Sequence, residues 1–471
     1  MIKKSKKLIF LLVAIAQFMV VLDVAITNVA LPTIEQELGF ASSALQWVIT
    51  AYALSFGGFL LLGGRTADLF GRRRTLISGM AAFTFFSLLI GFSQNPVELI
   101  TLRALQGVSA AFMSPAALSI VLVTFREGMA RNKALAYWSL VATGGAAVGM
   151  LLGGILTQYV GWRWNFFINV PIGLAVTLLI PRFVPKHEGE EKSSALDLPG
   201  ALLVTSSLMT LVFAFSQAPE WGWLDAKTLL TLGGAIVLLA GFILNESRAK
   251  HPLVPLSIFK IRNVSGANLI IAPLYASMMG TLFLTTLYIQ GTLHFSPVLT
   301  GISFLPFPLT LGFISTRIPK LVGRFGYRRF LIIGPLIIAV SLLWLSGLST
   351  DSTYVTSLLP TFILMPLGIG LAMMPVVAAA TSGVPAHESG LASGLVSTSQ
   401  QMGGALGLAV LSGVATSAAL ASHLVGQAAA LQGYHTAFLV DAGFMIIAAV
   451  IAIVVIRQVQ HQPIVATPIH E

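Results

Sequence analysis

The sequence predicts an all-α membrane protein of fourteen transmembrane helices. They are expected as two six-helix bundles with two further helices inserted between them, both termini cytoplasmic. Three observations carry this. The chain of 471 residues is 56% hydrophobic and 9% charged, with a mean hydropathy of +0.88, whereas soluble domains carry roughly a quarter charged residues. Apolar stretches near the ~20 residues a helix needs to cross a bilayer recur from Leu8 to Ile456. The basic residues between them fall almost entirely on one side of an alternating topology.

The predicted spans run near 8–31, 44–64, 75–94, 97–124, 134–160, 164–184, 198–217, 227–246, 264–290, 298–318, 329–349, 353–380, 391–420 and 434–456. With the N-terminus inside, Lys3 to Lys7, Arg65 to Arg74, Arg126 to Lys133, Arg182 to Lys192, Arg248 to Arg262, Arg317 to Arg329 and Arg457 are all cytoplasmic. Only Arg163 and Lys227 fall outside, and Arg103 lies within a span. A wrong span count would scramble that separation. The lysine-rich start resembles a signal peptide, but its apolar run continues past Asp23 and Asn28 to Pro32, so it reads as a retained first span.

Phe70-Gly71-Arg72-Arg73-Arg74 aligns with Phe325-Gly326-Tyr327-Arg328-Arg329, and both follow an even-numbered span. Parallel repeats of six spans fit this echo. The expected division is therefore 1–185 for a first bundle, 186–262 for a polar linker with the two inserted spans, and 263–471 for a second bundle and short tail. Cysteine is absent, which removes disulfides, thiolate metal sites and thiol catalysis. The net charge of +10 sits in short turns between spans, so it reads as topological signalling and not nucleic-acid binding.

Within the spans, Asp23 and Arg103 are the chemistry-bearing residues. An ionisable group in a span costs on the order of 3 kcal/mol and normally faces a cavity or a partner. From a rise of ~1.5 Å per residue, Asp23 lies about 12 Å below the outer end of its span and Arg103 about 9 Å below its own. Pairing is geometrically allowed, and protonation of Asp23 would release Arg103, giving a two-state element. Asp441, about 10 Å into the last span by the same rise, is a candidate second cation site, or a residue near enough to the surface to be wet.

Gly145, Gly149, Gly153 and Gly154 form a small-residue stripe on the fifth span, either a packing face or a contact between the two bundles. Gly403, Gly404 and Gly407 repeat the theme. The turn from Gly64 to Arg74 holds Asp68 among guanidinium groups between Gly64 and Gly71.

That turn closely resembles the signature loop of the major facilitator superfamily, Gly-x-Leu-Ala-Asp-Arg-x-Gly-Arg-Lys, with Thr66 and Leu69 departing from it. The remaining motifs resemble the drug:proton antiporter family with fourteen spans, over nearly the whole chain. Asp23, Asn28, Val29, Ala30, Leu31 and Pro32 match its first span, Ala25 and Thr27 differing. Leu99, Arg103, Gln106 and Gly107 match the fourth, with Ser109 where glycine is usual. Gly145, Gly149, Gly153 and Gly154 match the fifth, with Met150 in place of proline. The run from Trp162 to Pro171, Ala392 to Leu395, and Gln401 to Gly404 also look like this family.

The resemblance implies a major facilitator fold. It implies proton-driven export of amphipathic, often cationic compounds across a bacterial inner membrane by alternating access. It implies that Asp23 and Arg103 serve proton coupling, and that Asp68 with Arg72, Arg73 and their neighbours latches the cytoplasmic face between the two halves. Trp47, Tyr52, Gln106, Asn165 and Asn28 are candidates for the cavity wall. Expected partners are small molecules, protons and lipids, with no cofactor and no metal. A monomer is expected to suffice, with room for an accessory envelope protein. An exporter of one metabolite or lipid-like compound, or an inward symporter, is the nearest alternative. A membrane enzyme is disfavoured because the sequence has no phosphate-binding loop, His-Glu-x-x-His motif or cysteine cluster, and its eight histidines lie in or near loops. A channel fits the repeat less well than alternating access.

Overall fold

The computed structural model describes residues 6–125, 128–186, 196–385 and 388–457. Lys3, Lys4, Arg126 and the polar linker from His187 to Lys192 lie outside the described residues. Fourteen helices among those described are long and apolar enough to cross a membrane. They are α1 Lys6–Leu38, α2 Ser43–Phe70, α3 Arg72–Gly91, α4 Pro96–Thr124, α5 Met129–Tyr159, α6 Trp164–Phe183 and α7 Leu198–Trp221. The others are α8 Ala226–Arg248, α9 Arg262–Gly291, α10 Pro297–Ser315, α11 Tyr327–Leu345, α12 Tyr354–Thr381, α13 Ser389–Ala421 and α14 Gln427–Val454. There is no strand among the described residues. The chain is a multi-pass membrane protein.

Each predicted span is recovered, and the ends differ for physical reasons. α1 continues through Pro32 to Leu38, and Glu37 near its end accepts bonds from Trp162 Nε1 and Arg163 Nη1, each at 2.9 Å. That anchor pins the α1 end to the turn before α6. The turn between α2 and α3 needs glycine, because Gly71 has φ +96°. The corresponding Gly326 before α11 has φ +76°, so the echo in sequence is an echo in backbone conformation.

Glycines set how closely helices approach. A side chain at Gly63 would lie 2.1 Å from the Ala111 carbonyl, and one at Gly107 would lie 2.3 Å from that of Tyr52, so α2 and α4 pack backbone to backbone. On α5, a Cβ at Gly149 would meet Ala25 at 2.7 Å, and one at Gly153 would meet the Ile26 backbone at 2.9 Å. On α13, Gly403 and Gly407 give α9 the same close access at Ala272 and Ala276. The first and ninth helices are therefore held alike.

Two seams join α1–α6 to α9–α14. One is α5 against α10, where a Cβ at Gly154 would sit 2.4 Å from the Pro297 carbonyl and one at Gly301 would sit 2.3 Å from that of Met150. Gln158 also accepts from the Val298 amide at 3.2 Å, while Gln290 of α9 donates to the Val29 carbonyl of α1 at 2.9 Å. The other seam is α2 against α13, at Gly57 with Gln401 and Met402 and at Gly394 with Leu61.

The inserted α7 lies along the α2–α13 seam. Gly58 faces Thr205, and Gly413 faces the Phe215 carbonyl. Ser216 donates to the Ser43 carbonyl at 2.9 Å, Ser43 donates to Glu220 at 2.7 Å, and Trp223 donates to Ser417 at 3.1 Å. α8 packs on α7 through Ser207, which donates to the Ala235 carbonyl at 2.8 Å. Most of its surface is left exposed, as suits a lipid-facing helix.

Candidate functional site

Asp23 and Arg103 meet inside the α1–α6 group, as an ion pair between Asp23 Oδ2 and Arg103 Nη1. Asp23 is 1% exposed and Arg103 0% exposed. An unpaired charge at such a place would be prohibitively costly. Arg103 is further held by Nε donating to the Val48 carbonyl at 3.0 Å and Nη1 donating to Gln106 Oε1 at 2.6 Å. Its guanidinium lies 4.4 Å from the Tyr52 ring centroid and 5.7 Å from that of Phe166. Such stacking favours the guanidinium over an ammonium at this position.

The carboxylate has two more donors. Gln106 Nε2 donates to Asp23 Oδ1 at 2.9 Å, and Asn169 Nδ2 donates to the same atom at 3.1 Å. Both amides also donate to Ser87 Oγ, at 2.7 and 3.2 Å. Five side chains from α1, α3, α4 and α6 thus form one network. Gln106 touches both charges, because it is one helical turn from Arg103 on the same face of α4. Protonation would remove the charge that these donors share, and would leave Arg103 without its counter-ion.

Asn169 and Ser87 were not among the expected site residues. Asn169 lies in the run from Trp162 to Pro171 that carried part of the family resemblance, whereas Ser87 has no signal in sequence. Of the candidates for the cavity wall, Gln106 belongs to this network, and Tyr52 of α2 borders it through its ring beneath the Arg103 guanidinium. Trp47 instead packs in an apolar cluster with Val212 of α7 and Ala405 and Ala409 of α13. Asn165 donates to Thr157 on α5 at 2.8 Å and is fully buried. Asn28 is buried, and its Oδ1 has no hydrogen-bond partner.

Asp441 on α14 is fully buried, so the alternative of a wet position is not met. Its Oδ2 accepts from Ser277 at 2.9 Å and Thr281 at 3.4 Å on α9. Its Oδ1 has no hydrogen-bond partner, and no ion pair reaches it among the described residues.

In the signature turn, Asp68 lies 3.6 Å from Arg72, four residues on and across the Gly71 turn, with its side chain 64% exposed. Arg73 donates to the Val184 carbonyl at 3.1 Å, within α1–α6. Arg65 reaches further and donates to the His251 and Pro252 carbonyls, at 3.4 and 3.2 Å, in the segment after α8. Gly64 and Gly71 flank this arrangement. The glycine stripe on α5 grips α1 at Phe18, Val21, Leu22, Ala25 and Ile26, the residues around Asp23, while Gly154 faces α10.

Residues 13–408 match the family model described as Major Facilitator Superfamily. A puromycin resistance protein of Streptomyces alboniger is 42% identical over 451 residues, covering 94% of this chain and 89% of that protein. A cephamycin export protein of Amycolatopsis lactamdurans is 38% identical over 445 residues, covering 93% and 90%. A lincomycin resistance protein of Streptomyces lincolnensis is 33% identical over 453 residues, covering 96% and 91%. Among solved structures, a POT family transporter superposes with a TM-score of 0.72 at 16% identity, covering 96% of this chain and 97% of that one. A nucleoside transporter superposes at 0.67 with 12% identity, covering 96% and 100%; at these identities the likeness speaks for the fold alone. The chain belongs to the major facilitator superfamily.

Proposed function

We propose that this protein exports amphipathic, drug-like compounds, cationic ones among them, in exchange for protons by alternating access. The buried network of Asp23, Arg103, Gln106 and Asn169 carries the reading, because it is a charge pair whose state one proton can switch. The relatives named for resistance to or export of antibiotics support the substrate class. The activity is transport and not catalysis, and one chain suffices for it.

Asp23 takes the proton and Arg103 responds. The glycine stripe passes the response from α1 to α5, and Gly154 passes it to α10 across the seam. Asp68, Arg72 and Arg73 brace the signature turn, from which Arg65 makes the longer contact. Asp441 is a second membrane-embedded carboxyl, held by Ser277 and Thr281 with no cation beside it among the described residues, and it is the second place where a proton or a cationic solute would bind. Tyr52 and Asn28 border the route near the ion pair.

The test is accumulation of a lipophilic fluorescent cation in inside-out vesicles, with and without an imposed proton gradient. Gradient-driven accumulation is expected, and Asp23→Asn should lower it ~10-fold or more while the protein still inserts. Normal accumulation by Asp23→Asn would make the pair structural only. Asp441→Asn should slow transport without abolishing it; a rate equal to wild type would remove it from the coupling scheme. A second reading is export of one compound, favoured by relatives that each bear a single antibiotic's name. Competition among chemically unrelated compounds separates the two, since a narrow exporter responds to one structural class only.

A further inference from the structure

The inserted pair has chemistry of its own at its basic end, away from Asp23 and Asp441. Asp197 caps α7, its Oδ1 accepting from the Gly200 amide at 2.9 Å. Asn245 near the end of α8 donates to both Asp197 oxygens, at 3.0 and 2.9 Å. Glu246, the next residue, accepts from the Val254 amide through Oε2 at 2.9 Å. Asp197 is 7% exposed and Glu246 4% exposed.

The two carboxyls face one another. A Cβ on Gly200 would lie 2.6 Å from Asp197 Oδ2 and 2.6 Å from Glu246 Oε1, so glycine is what leaves room for both. Both oxygens thus crowd one small buried space, and Glu246 Oε1 has no hydrogen-bond partner. Two carboxylate oxygens are both acceptors, so two buried carboxylates this near each other repel unless one of them carries a proton. The remaining neighbours, the amides of Gly200, Leu253 and Val254 and the Asn245 side chain, are donors, which suits a single shared negative charge and not a metal ion. Burial alone would raise Asp197, but these donors outweigh it and hold Asp197 below its ordinary value, so it keeps the charge.

The segment they grip ties three parts of the fold together. Leu253, Val254 and Ile258 pack with Leu62 of α2, Ala201 of α7, Val264 of α9, and Ala392 and Leu395 of α13. The carbonyls of His251 and Pro252 receive Arg65 from the signature turn. The charged groups on neighbouring elements are few. Arg248, Lys250 and His251 are exposed, Arg262 donates to the Val454 carbonyl at 3.2 Å, and Glu388 before α13 is half-buried.

We infer that Asp197 and Glu246 form a proton-binding site that closes the 251–258 segment as a clasp over the α2–α13 seam. With the proton in place the carboxyls attract. Once it is lost they repel, Val254 loses its hold, and Arg65 loses the carbonyls it sits on. The clasp is shut at low pH on this face and opens as pH rises, because the closed form binds one proton more than the open one. The role given to it in transport rests on the transport reading, but the site itself does not.

The experiment exploits the absence of cysteine in the chain. In inside-out vesicles without substrate, Val254→Cys is labelled with a membrane-impermeant maleimide. Its rate is divided by that of Lys250→Cys, an exposed control that cancels the change in thiolate fraction. From about pH 6 to about pH 8.5 the ratio is expected to rise roughly fivefold. Glu246→Gln removes the titrating proton and should hold the ratio at its low-pH value throughout. Asp197→Asn should do the same, and serves if Glu246→Gln fails to accumulate. A ratio flat with pH in the parent, or a rise of equal size in both variants, overturns the inference. Neither outcome depends on whether drug export is observed.

Discussion

Arg103→Met is expected to be more damaging than Asp23→Asn, and the double replacement less damaging than Arg103→Met alone. Methionine fills the space between Tyr52 and Phe166 but leaves Asp23 facing only amide donors, with no cation. Breaking a buried pair by removing one partner costs about 3–5 kcal/mol, because the other charge is stranded. Arg103→Met should therefore lower the amount of folded protein as well as transport, by ~10-fold or more in rate. Asp23→Asn with Arg103→Met removes both charges and keeps an amide that Gln106 and Asn169 can meet. It should recover folded protein, measured by detergent-solubilised yield and melting, while gradient-driven transport stays absent. Equal yield for the single and double variants would show that the pair contributes little to folding. Arg103→Lys should fall between, because an ammonium lacks the planar fork that reaches Val48, Gln106 and Asp23 together.

Gly154→Leu is expected to hold the α5–α10 seam apart. No side chain fits where the Pro297 carbonyl lies 2.4 Å from the Cβ position and Val298 Cα lies 2.9 Å away. Overpacking of this kind costs about 1–3 kcal/mol when backbones must move. Here they can move, since the contact joins two groups of helices and not the interior of one. Transport should fall ~10-fold or more with normal insertion. The check is labelling of Ala30→Cys, buried in this conformation, by an impermeant thiol reagent in whole cells. Faster labelling in Gly154→Leu marks an opened seam; an unchanged rate with normal transport would mean that the seam tolerates the bulk. Gly149→Leu should act differently, by pushing on Ala25 and Leu22 beside Asp23, and so should change the pH dependence of transport as well as its rate.

Much of this was legible in sequence because the bilayer leaves few alternatives. Spans announce themselves by length and apolarity, and the basic turns order them. Asp23 and Arg103 could be matched in depth from helical rise alone. What could not be read is which faces turn toward each other. Asn169 and Ser87 join the network only because α6 and α3 present them there, and nothing in Ser87's surroundings in sequence distinguishes it from a lipid-facing serine. Trp47 carried the aromatic character of a cavity residue but faces the inserted α7. The pair Asp197 and Glu246 was hidden for the same reason: the two residues stand at opposite ends of a helical hairpin, and only antiparallel packing brings them together. The signature turn was recognised, but its reach through Arg65 to the segment after α8 depended on where the inserted helices settle, which periodicity does not encode.

Placing α7 along the α2–α13 seam makes the molecule lopsided toward the surrounding lipid. On one flank a whole helix, with α8 behind it, caps the crease; on the other, α5 and α10 meet with no further helix over them among the described residues. An amphipathic solute already dissolved in the bilayer therefore encounters two unlike flanks, one shuttered and one bare, although the underlying repeat would have made them equivalent.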